Sequence, residues 1–173
     1  RITVLLCTNM TGTDRLPMFV IGKSKKPRAF SNFIPKAHNI QYTANTRAWM
    51  NAELFNSWLS YFDKRLSRRV ALIMDNAPVH KVMVPLRNVE VIFLNPNTTS
   101  HCQPLDMGII ASFKRGYLSK LLFHQAVEVM AKKAFRYSLD QCLIFARDAW
   151  YSITNTTISN CFWEADIRRS EQD

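Results

Sequence analysis

The sequence predicts an α/β domain in which helices cover the faces of a sheet, and three observations indicate this class. The first 22 residues contain two short runs rich in β-forming residues. Residues 70–74 form an uninterrupted apolar run, which is typical of a strand buried on both faces. The C-terminal third repeats apolar residues at helical spacing, and strands followed by helices are typical of layered α/β domains.

The N-terminal runs are expected to form a hairpin. Residues 2–9 and 17–22 are β-rich, and the stretch between them contains a glycine and an aspartate that favour a turn. A charged loop follows at residues 23–28, and residues 40–43 favour another short strand.

A helix is predicted over residues 51–66, with Asn51 as its N-cap and Glu53 favourably placed in the first turn. Its apolar residues recur at helical spacing: Phe55, Trp58, Leu59, Phe62 and Leu66. The apolar strand at residues 70–74 follows, and then a strand over residues 89–94. We expect the helix to pack on the sheet.

Two aspartates occupy distinctive settings. Asp75 directly follows the apolar strand, where open α/β sheets bind ligands. Asp106 opens a helix, and helical spacing from the apolar stripe places this aspartate on the core-facing side. The stripe consists of Ile109, Ile110, Phe113, Tyr117 and Leu121. Further helices are predicted over residues 139–153 and 156–165.

The charge balance favours a polyanionic partner. The formal net charge is +10, and residues 1–50 hold eight Lys or Arg against one acid, a surplus of +7. Neutralising phosphates releases counterions and gives affinity without sequence readout. The four cysteines form no Cys-x-x-Cys pair, so we interpret them as reduced thiols. At 173 residues with 47% hydrophobic content, the chain is expected to form one domain over residues 1–173.

Several motifs in order along the chain carry a family resemblance. They are Leu16-Pro-Met-Phe-Val-Ile-Gly-Lys, Ala48-Trp-Met, Asp75-Asn-Ala-Pro-Val-His and Gln103-Pro-Leu-Asp-Met-Gly-Ile-Ile. With 30 residues between its two aspartates, the chain resembles the DDE endonuclease domain of pogo- and Tigger-type transposases of the mariner superfamily. Proteins derived from these transposases, such as the centromere protein B and jerky-type families, share the resemblance. It implies a three-layer ribonuclease H-like fold that cleaves and rejoins DNA with divalent metal ions.

The resemblance also implies that one acid of the triad is missing. In this family the first catalytic aspartate lies on a strand just before the segment that matches residues 1–9, and the DNA-binding helix-turn-helix region lies upstream. We therefore expect a domain truncated at its N-terminus, lacking its first strand, and marginally stable or inactive alone. Asp14 lies in the hairpin turn and does not suit the missing role.

The implied metal ligands are Asp75 and Asp106, which are also the implied catalytic residues, and Asn76, His80 and Gln103 lie near the site. Carboxylates suit Mg²⁺ or Mn²⁺ because these hard ions favour oxygen ligands. Simpler interpretations remain open. Asp75 also suits an acid that bonds the following turn, and Asp106 suits a helix cap. His80 suits a phosphate contact, an orienting partner of Asp75, or an ordinary structural hydrogen bond.

The expected DNA-binding residues are basic: Lys23, Lys25, Lys26, Arg28, Lys114 and Arg115. A solvated loop and a nuclear-import signal are the alternatives for the first four. The polar loop at residues 97–101 offers groups of the kind that contact DNA backbone oxygens. We interpret the aromatic residues as core rather than as base-stacking surfaces: Trp49, Phe55, Trp58, Phe62, Trp150 and Trp163.

Three functions are compatible with these residues. The first is a catalytic domain of a metal-dependent transposase that acts on DNA in the nucleus, with a homodimer expected for the full-length parent and no membrane or small-molecule cofactor. The second is a domesticated DNA-binding protein without catalysis. The third is an unrelated metal-dependent phosphoesterase. Retention of both Asp75 and Asp106 favours the first.

Overall fold

The computed structural model describes residues 1–95, 102–134 and 136–167. Within these ranges the chain forms a three-stranded sheet, a two-stranded sheet and four α-helices. The three-stranded sheet consists of β1 (Thr3–Leu5), β2 (Met18–Gly22) and β3 (Ile40–Ala44). The two-stranded sheet consists of β4 (Val70–Met74) and β5 (Val89–Phe93). The helices are α1 (Ala52–Arg65), α2 (Ile110–Met130), α3 (Leu139–Ser152) and α4 (Asn155–Glu164).

The predicted hairpin is confirmed. Strand β1 pairs antiparallel with β2, and an isolated antiparallel bridge between Thr8 and Arg15 continues the pairing toward the turn. Gly12 adopts a left-handed φ of 70° in that turn, and an added Cβ would meet the Asn155 backbone at 3.0 Å. Glycine therefore suits this position both for its conformation and for the close approach of α4.

Strand β3 pairs parallel with β2, so the start of β1 and the ends of β2 and β3 lie at the same edge of the sheet. Residues that follow Gly22 and Ala44, and residues that precede Thr3, are therefore brought together. The sequence favours a strand in this region but indicates neither its partner nor its direction, because a strand of five residues carries little periodic signal.

The three-stranded sheet is covered on both faces. Met18, Val20 and Ile40 pack against α3 and α4, where Leu143, Trp150 and Ile158 are fully buried. Phe19 and Ile21 face the other way, into a cluster that contains Phe55 and Leu59 of α1 together with Met74 and Val89 of β4 and β5. This alternation along β2 follows from the two-residue period of a strand and produces helix layers on both sides.

The expectation that residues 70–74 are buried on both faces is wrong. Val70, Leu72 and Met74 pack into the α1 cluster, but Ala71 is exposed, and Ile92, which pairs with Ile73, is 44% exposed. The reason is that β4 pairs only with β5 among the described residues, and this narrow sheet has just one covered face. The apolar run alone does not reveal how many layers surround a strand.

The start of α1 is confirmed in detail. Asn51 is the N-cap, and its Oδ1 accepts a hydrogen bond of 2.9 Å from the Leu54 N–H. Near the other end of α1, the Asp63 carboxylate is buried, and its Oδ1 accepts N–H bonds from Arg87, Asn88 and Val89 at 3.0, 2.7 and 3.0 Å. These bonds fix the segment that leads into β5. They also lower the pKa of Asp63, and the bond from the Asn88 N–H has the largest effect.

The expectation that Asp106 faces the core is also wrong. Asp106 is exposed, and the segment Leu105–Ile109 is π-helical rather than α-helical, with Gly108 outside helical geometry. A π turn contains an extra residue, so the phase extrapolated backward from Phe113 and Tyr117 fails here. Ile109 is fully buried, and Phe113 and Tyr117 pack against the α3–α4 cluster as predicted.

The C-terminal helices begin and end close to their predicted positions. Helix α3 starts with a capping box formed by Ser138 and Gln141, and α4 starts where the Thr154 side chain accepts the Thr157 N–H. All four cysteines are free thiols, as predicted. Among the described residues, no helix has both the length and the apolar character required to span a membrane.

Candidate active site and nucleic-acid interface

Asp75 directly follows the last residue of β4, and its side chain is 36% exposed. Its carboxylate Oδ1 lies 2.5 Å from His80 Nδ1, which also lies 3.2 Å from the Asp75 backbone oxygen. The Asn-Ala-Pro sequence brings the two side chains together, because Pro78 opens a single 3₁₀ turn (Pro78–His80) that reverses the chain toward Asp75. The structure therefore pairs two of the predicted site residues.

His80 also connects this acid to the core. Its side chain is 18% exposed, and its ring lies 4.9 Å from the ring of Phe55 in the first turns of α1. Phe55 is completely buried, so the ring provides a fixed surface for the imidazole. His80 Nδ1 is hydrogen-bonded to the Asp75 backbone oxygen and is in close contact with the carboxylate, whose buried Oδ1 makes no hydrogen bond within the described residues. The close contact positions the carboxylate, and part of the Asp75 side chain stays open to solvent.

Asp106 lies in the π-helical segment, and its N–H donates to the Gln103 carbonyl at 2.9 Å. The side-chain Oε1 of Gln103 is buried and has no hydrogen-bond partner in the described part of the chain. An unpaired buried amide oxygen is costly without a further partner. Asp106 and Gln103 thus contribute two oxygen-bearing side chains within one turn of backbone, an exposed carboxylate and an amide whose oxygen is buried.

The two acids are carried by elements that pack into different hydrophobic clusters. Strand β4 packs into the α1 cluster, while the segment that carries Asp106 packs against α4 through Ile109. No group of three or more His, Cys, Asp or Glu side chains placed to hold a metal ion occurs within the described ranges. Carboxylate and amide oxygens are the ligand type that hard divalent ions prefer. Two carboxylates, however, are fewer than a two-ion site uses.

A set of basic residues gathers at the edge of the three-stranded sheet where β1 starts and β2 and β3 end. We call it the basic edge, and all of its members are exposed: Arg1, Lys23, Lys25, Lys26, Arg28 and Arg47. Four of these were predicted as DNA-binding residues. Arg1 and Arg47 were not singled out, because only the parallel pairing of β3 with β2 brings them to the same edge.

Helix α1 links the basic edge to Asp75. The chain runs from Arg47 into α1 at Ala52, and Phe55 near the start of that helix contacts His80. Both features therefore lie toward the N-terminal end of α1. The other predicted DNA-binding residues, Lys114 and Arg115, are exposed within the first two turns of α2, and Asn76 is exposed next to Asp75. The polar loop predicted at residues 97–101 lies outside the described residues.

The interpretation of the aromatic residues as core holds for most of them and is wrong for two. Phe55, Trp58, Phe62 and Trp150 are buried. Trp49 is 53% exposed and Trp163 is 62% exposed. Trp49 lies in the Ala48-Trp-Met motif before the N-cap of α1, outside the apolar stripe of that helix.

Comparison with known proteins identifies the class. The family model described as DDE superfamily endonuclease matches residues 1–162. The chain therefore belongs to the DDE superfamily endonuclease family, as the motifs predicted, and this family implies a ribonuclease H-like fold. The mixed arrangement of helices and small sheets is consistent with that α/β class.

The curated relatives include a transposable element-derived protein, a centromere autoantigen and an ARS-binding protein. The chain is 32% identical over 171 residues to Tigger transposable element-derived protein 4 of Mus musculus, a match that covers 97% of this chain and 33% of that protein. It is 32% identical over 171 residues to Major centromere autoantigen B of Homo sapiens, covering 95% and 27%. It is 36% identical over 128 residues to ARS-binding protein 1 of Schizosaccharomyces pombe, covering 68% and 24%.

The chain spans about a third or less of the length of the curated relatives it matches. No solved structure gives a significant match.

Proposed function

We propose that residues 1–173 form the catalytic domain of a transposase-type endonuclease that cleaves and joins DNA strands in the full-length protein. The observation that carries this proposal is the Asp75–His80 pair. A partly exposed carboxylate is held at 2.5 Å by an imidazole that rests on the core, at the end of α1 that also adjoins the basic edge. Phosphodiester chemistry requires an oriented acid beside a surface that attracts phosphate.

In this proposal, Asp75 and Asp106 hold a divalent ion, Mg²⁺ or Mn²⁺. When bound, the metal activates the attacking oxygen and stabilises the leaving one. His80 fixes Asp75, and the unpaired Oε1 of Gln103 and the Asn76 side chain line the approach to the acids. The oxygen donors support this choice of ion, because Mg²⁺ and Mn²⁺ prefer carboxylate and amide oxygens.

We further propose that a strand carrying a third acid precedes these residues and fits between β1 and β4. Both strands support this, because each has a single hydrogen-bonded neighbour among the described residues. An unpaired strand side exposes backbone N–H and C=O groups that favour another strand. The resemblance to the transposase family gives the same position for its first aspartate.

The full-length protein is proposed to act in the nucleus as a homodimer. Helix α2 supports self-association, because large apolar side chains from its middle to its C-terminal end are exposed. They are Leu118, Leu122, Phe123, Val127, Val129 and Met130. Monomeric proteins rarely expose a contiguous apolar surface of this kind.

A domesticated DNA-binding protein is the second candidate. The name of one relative, ARS-binding protein 1, describes binding rather than transposition. In that case the basic edge would keep its role, and Asp75 would act only as a structural partner of His80.

The DNA-binding part of the proposal is tested by the salt dependence of affinity for duplex DNA. Replacing Lys25 and Lys26 by Ala in the full-length protein should lower the slope of log affinity against log salt by about 2, since each lost phosphate contact removes about 0.9. The matched control is Lys132→Ala with Lys133→Ala, which lie beyond the C-terminal end of α2. Equal slopes for both double variants and the unmodified protein would contradict a role for the basic edge.

A further inference from the structure

Trp49 is presented to solvent by a closely tied turn. It follows Ala48, which is completely buried and has a left-handed φ of 53° although it is not glycine. Such a conformation costs about 1 kcal/mol or more for a residue with a Cβ. The chain keeps this unfavourable conformation at Ala48, whose backbone angles set the direction in which the next residue, Trp49, leaves the turn.

Hydrogen bonds on both sides hold the turn. The Asn45 side chain accepts the Trp49 N–H at 3.2 Å and donates to the Trp49 carbonyl at 2.7 Å. The Thr3 hydroxyl donates to the Ala48 carbonyl at 2.7 Å, and the Asn45 N–H donates to the Gly22 carbonyl at 3.0 Å. The turn is therefore tied to β1 and β2, and the backbone that carries the exposed indole is fixed in place.

The surroundings of the ring are cationic. The Arg1 guanidinium lies 4.7 Å from the centre of the Trp49 ring, and Arg47 lies two residues before it in the same turn. Lys23 follows Gly22, the residue that binds the turn. An exposed aromatic ring inside a cationic surface is the arrangement that binds single-stranded nucleic acid, because every base has a face that stacks and every phosphate needs a counter-charge.

We propose that Trp49 is a stacking site for an unpaired nucleobase, with Arg1 and Arg47 contacting the adjoining phosphates. Inside a duplex both faces of each base are covered by neighbours, so a single projecting indole contacts a base face only where the strand is unpaired or open. The inference rests on the proposed DNA-binding function and deepens it: the basic edge recognises a single-stranded segment toward the end of α1 that also adjoins Asp75.

The test is a pair of substitutions in the full-length protein, Trp49→Ala and Trp49→Phe, with binding measured to a single-stranded oligonucleotide and to a duplex of the same sequence. Trp49→Ala should weaken single-strand binding roughly tenfold, within the range for loss of one stacked base. Trp49→Phe should keep most of that affinity, and both variants should bind the duplex within about twofold of the unmodified protein. If the single strand quenches the intrinsic tryptophan fluorescence of the unmodified protein, this quenching should be lost in Trp49→Phe.

A matched control is Trp163→Ala, which removes another exposed tryptophan, 62% exposed, from α4. The proposal is overturned if Trp49→Ala leaves single-strand affinity unchanged, if Trp49→Phe is as weak as Trp49→Ala, or if duplex binding falls equally. Failure of the unmodified protein to bind either DNA would instead contradict the proposed function itself, so the two failures are distinguishable.

Discussion

At the residue scale, the contact between His80 and Asp75 joins the candidate chemistry to the protein core. The imidazole is held between Phe55 at 4.9 Å and the Asp75 carboxylate at 2.5 Å. If this contact orients a metal ligand, its loss changes metal affinity before it changes stability. Outer hydrogen bonds to ligating groups typically contribute about 10–100-fold to metal affinity.

We predict that His80→Ala in the full-length protein weakens Mn²⁺ binding, measured by calorimetry, by about tenfold or more. His80→Gln should retain part of the Mn²⁺ affinity that His80→Ala loses, because the Gln side-chain amide can donate a hydrogen bond to a carboxylate. His38→Ala is the matched control, since that ring stacks on Phe33 away from Asp75. Unchanged Mn²⁺ affinity in His80→Ala would make this contact purely structural.

A second prediction concerns pH and Asp63. Hydrogen bonds from the Asn88, Val89 and Arg87 N–H groups lower its pKa, so the folded protein favours the ionised form. The stabilisation is therefore present above the ordinary aspartate pKa near 3.9 and is lost as the pH falls through the lower folded value.

Asp63→Asn should lower the thermal unfolding midpoint at neutral pH and show a smaller further decrease on acidification below about pH 4. The comparison variant is Asp14→Asn in the hairpin turn. Parallel acid profiles for Asp63→Asn and the unmodified protein would show that this carboxylate contributes no linked protonation.

Residue-level prediction succeeded where the signal is local. Asn51 caps α1 and Asp75 ends β4 because both roles depend on a few neighbouring residues. Trp49 and Arg47 were missed as surface groups because their position depends on the left-handed Ala48 and on the pairing of β3 with β2. Neither feature leaves a signal in the spacing of residues.

At the element scale, α1 contributes two completely buried side chains, Phe55 and Leu59, to the cluster that it forms with β2, β4 and β5. Leu59 is fully buried between the helix and both sheets, so Leu59→Ala should reduce the free energy of unfolding by about 2–5 kcal/mol in a chemical denaturation experiment. Ile34→Ala removes the same number of carbon atoms from a side chain that is 69% exposed and lies outside α2, and it should change stability by less than about 0.5 kcal/mol. Similar losses in both variants would contradict the assignment of the core.

The order and type of the elements could be predicted because helical and strand periods differ clearly in this sequence. The burial of β4 and the direction of Asp106 could not. An apolar run reports composition rather than the number of covering layers, and the π-helical segment Leu105–Ile109 breaks the period from which Asp106 was extrapolated. Both errors arise where tertiary structure changes a local pattern.

At the scale of the whole molecule, charge and topology act together. The surplus of positive charge in residues 1–50 becomes a surface only because β1, β2 and β3 bring their basic ends to one edge. That edge and the Asp75–His80 pair both adjoin the N-terminal end of α1. Under the proposed function, this arrangement would hold a DNA strand next to Asp75 rather than on a remote face.

The most direct test of the catalytic proposal is Mn²⁺-dependent nicking of labelled duplex DNA by the full-length protein, compared with its Asp75→Asn and Asp106→Asn variants. Asp148→Asn, which removes an acid paired with Arg147, is the matched control. The account predicts nicking by the unmodified and control proteins that is lost, by about 100-fold or more, in both site variants while duplex affinity is retained. Equal nicking by all four proteins, or DNA binding with no nicking by any of them, would contradict it.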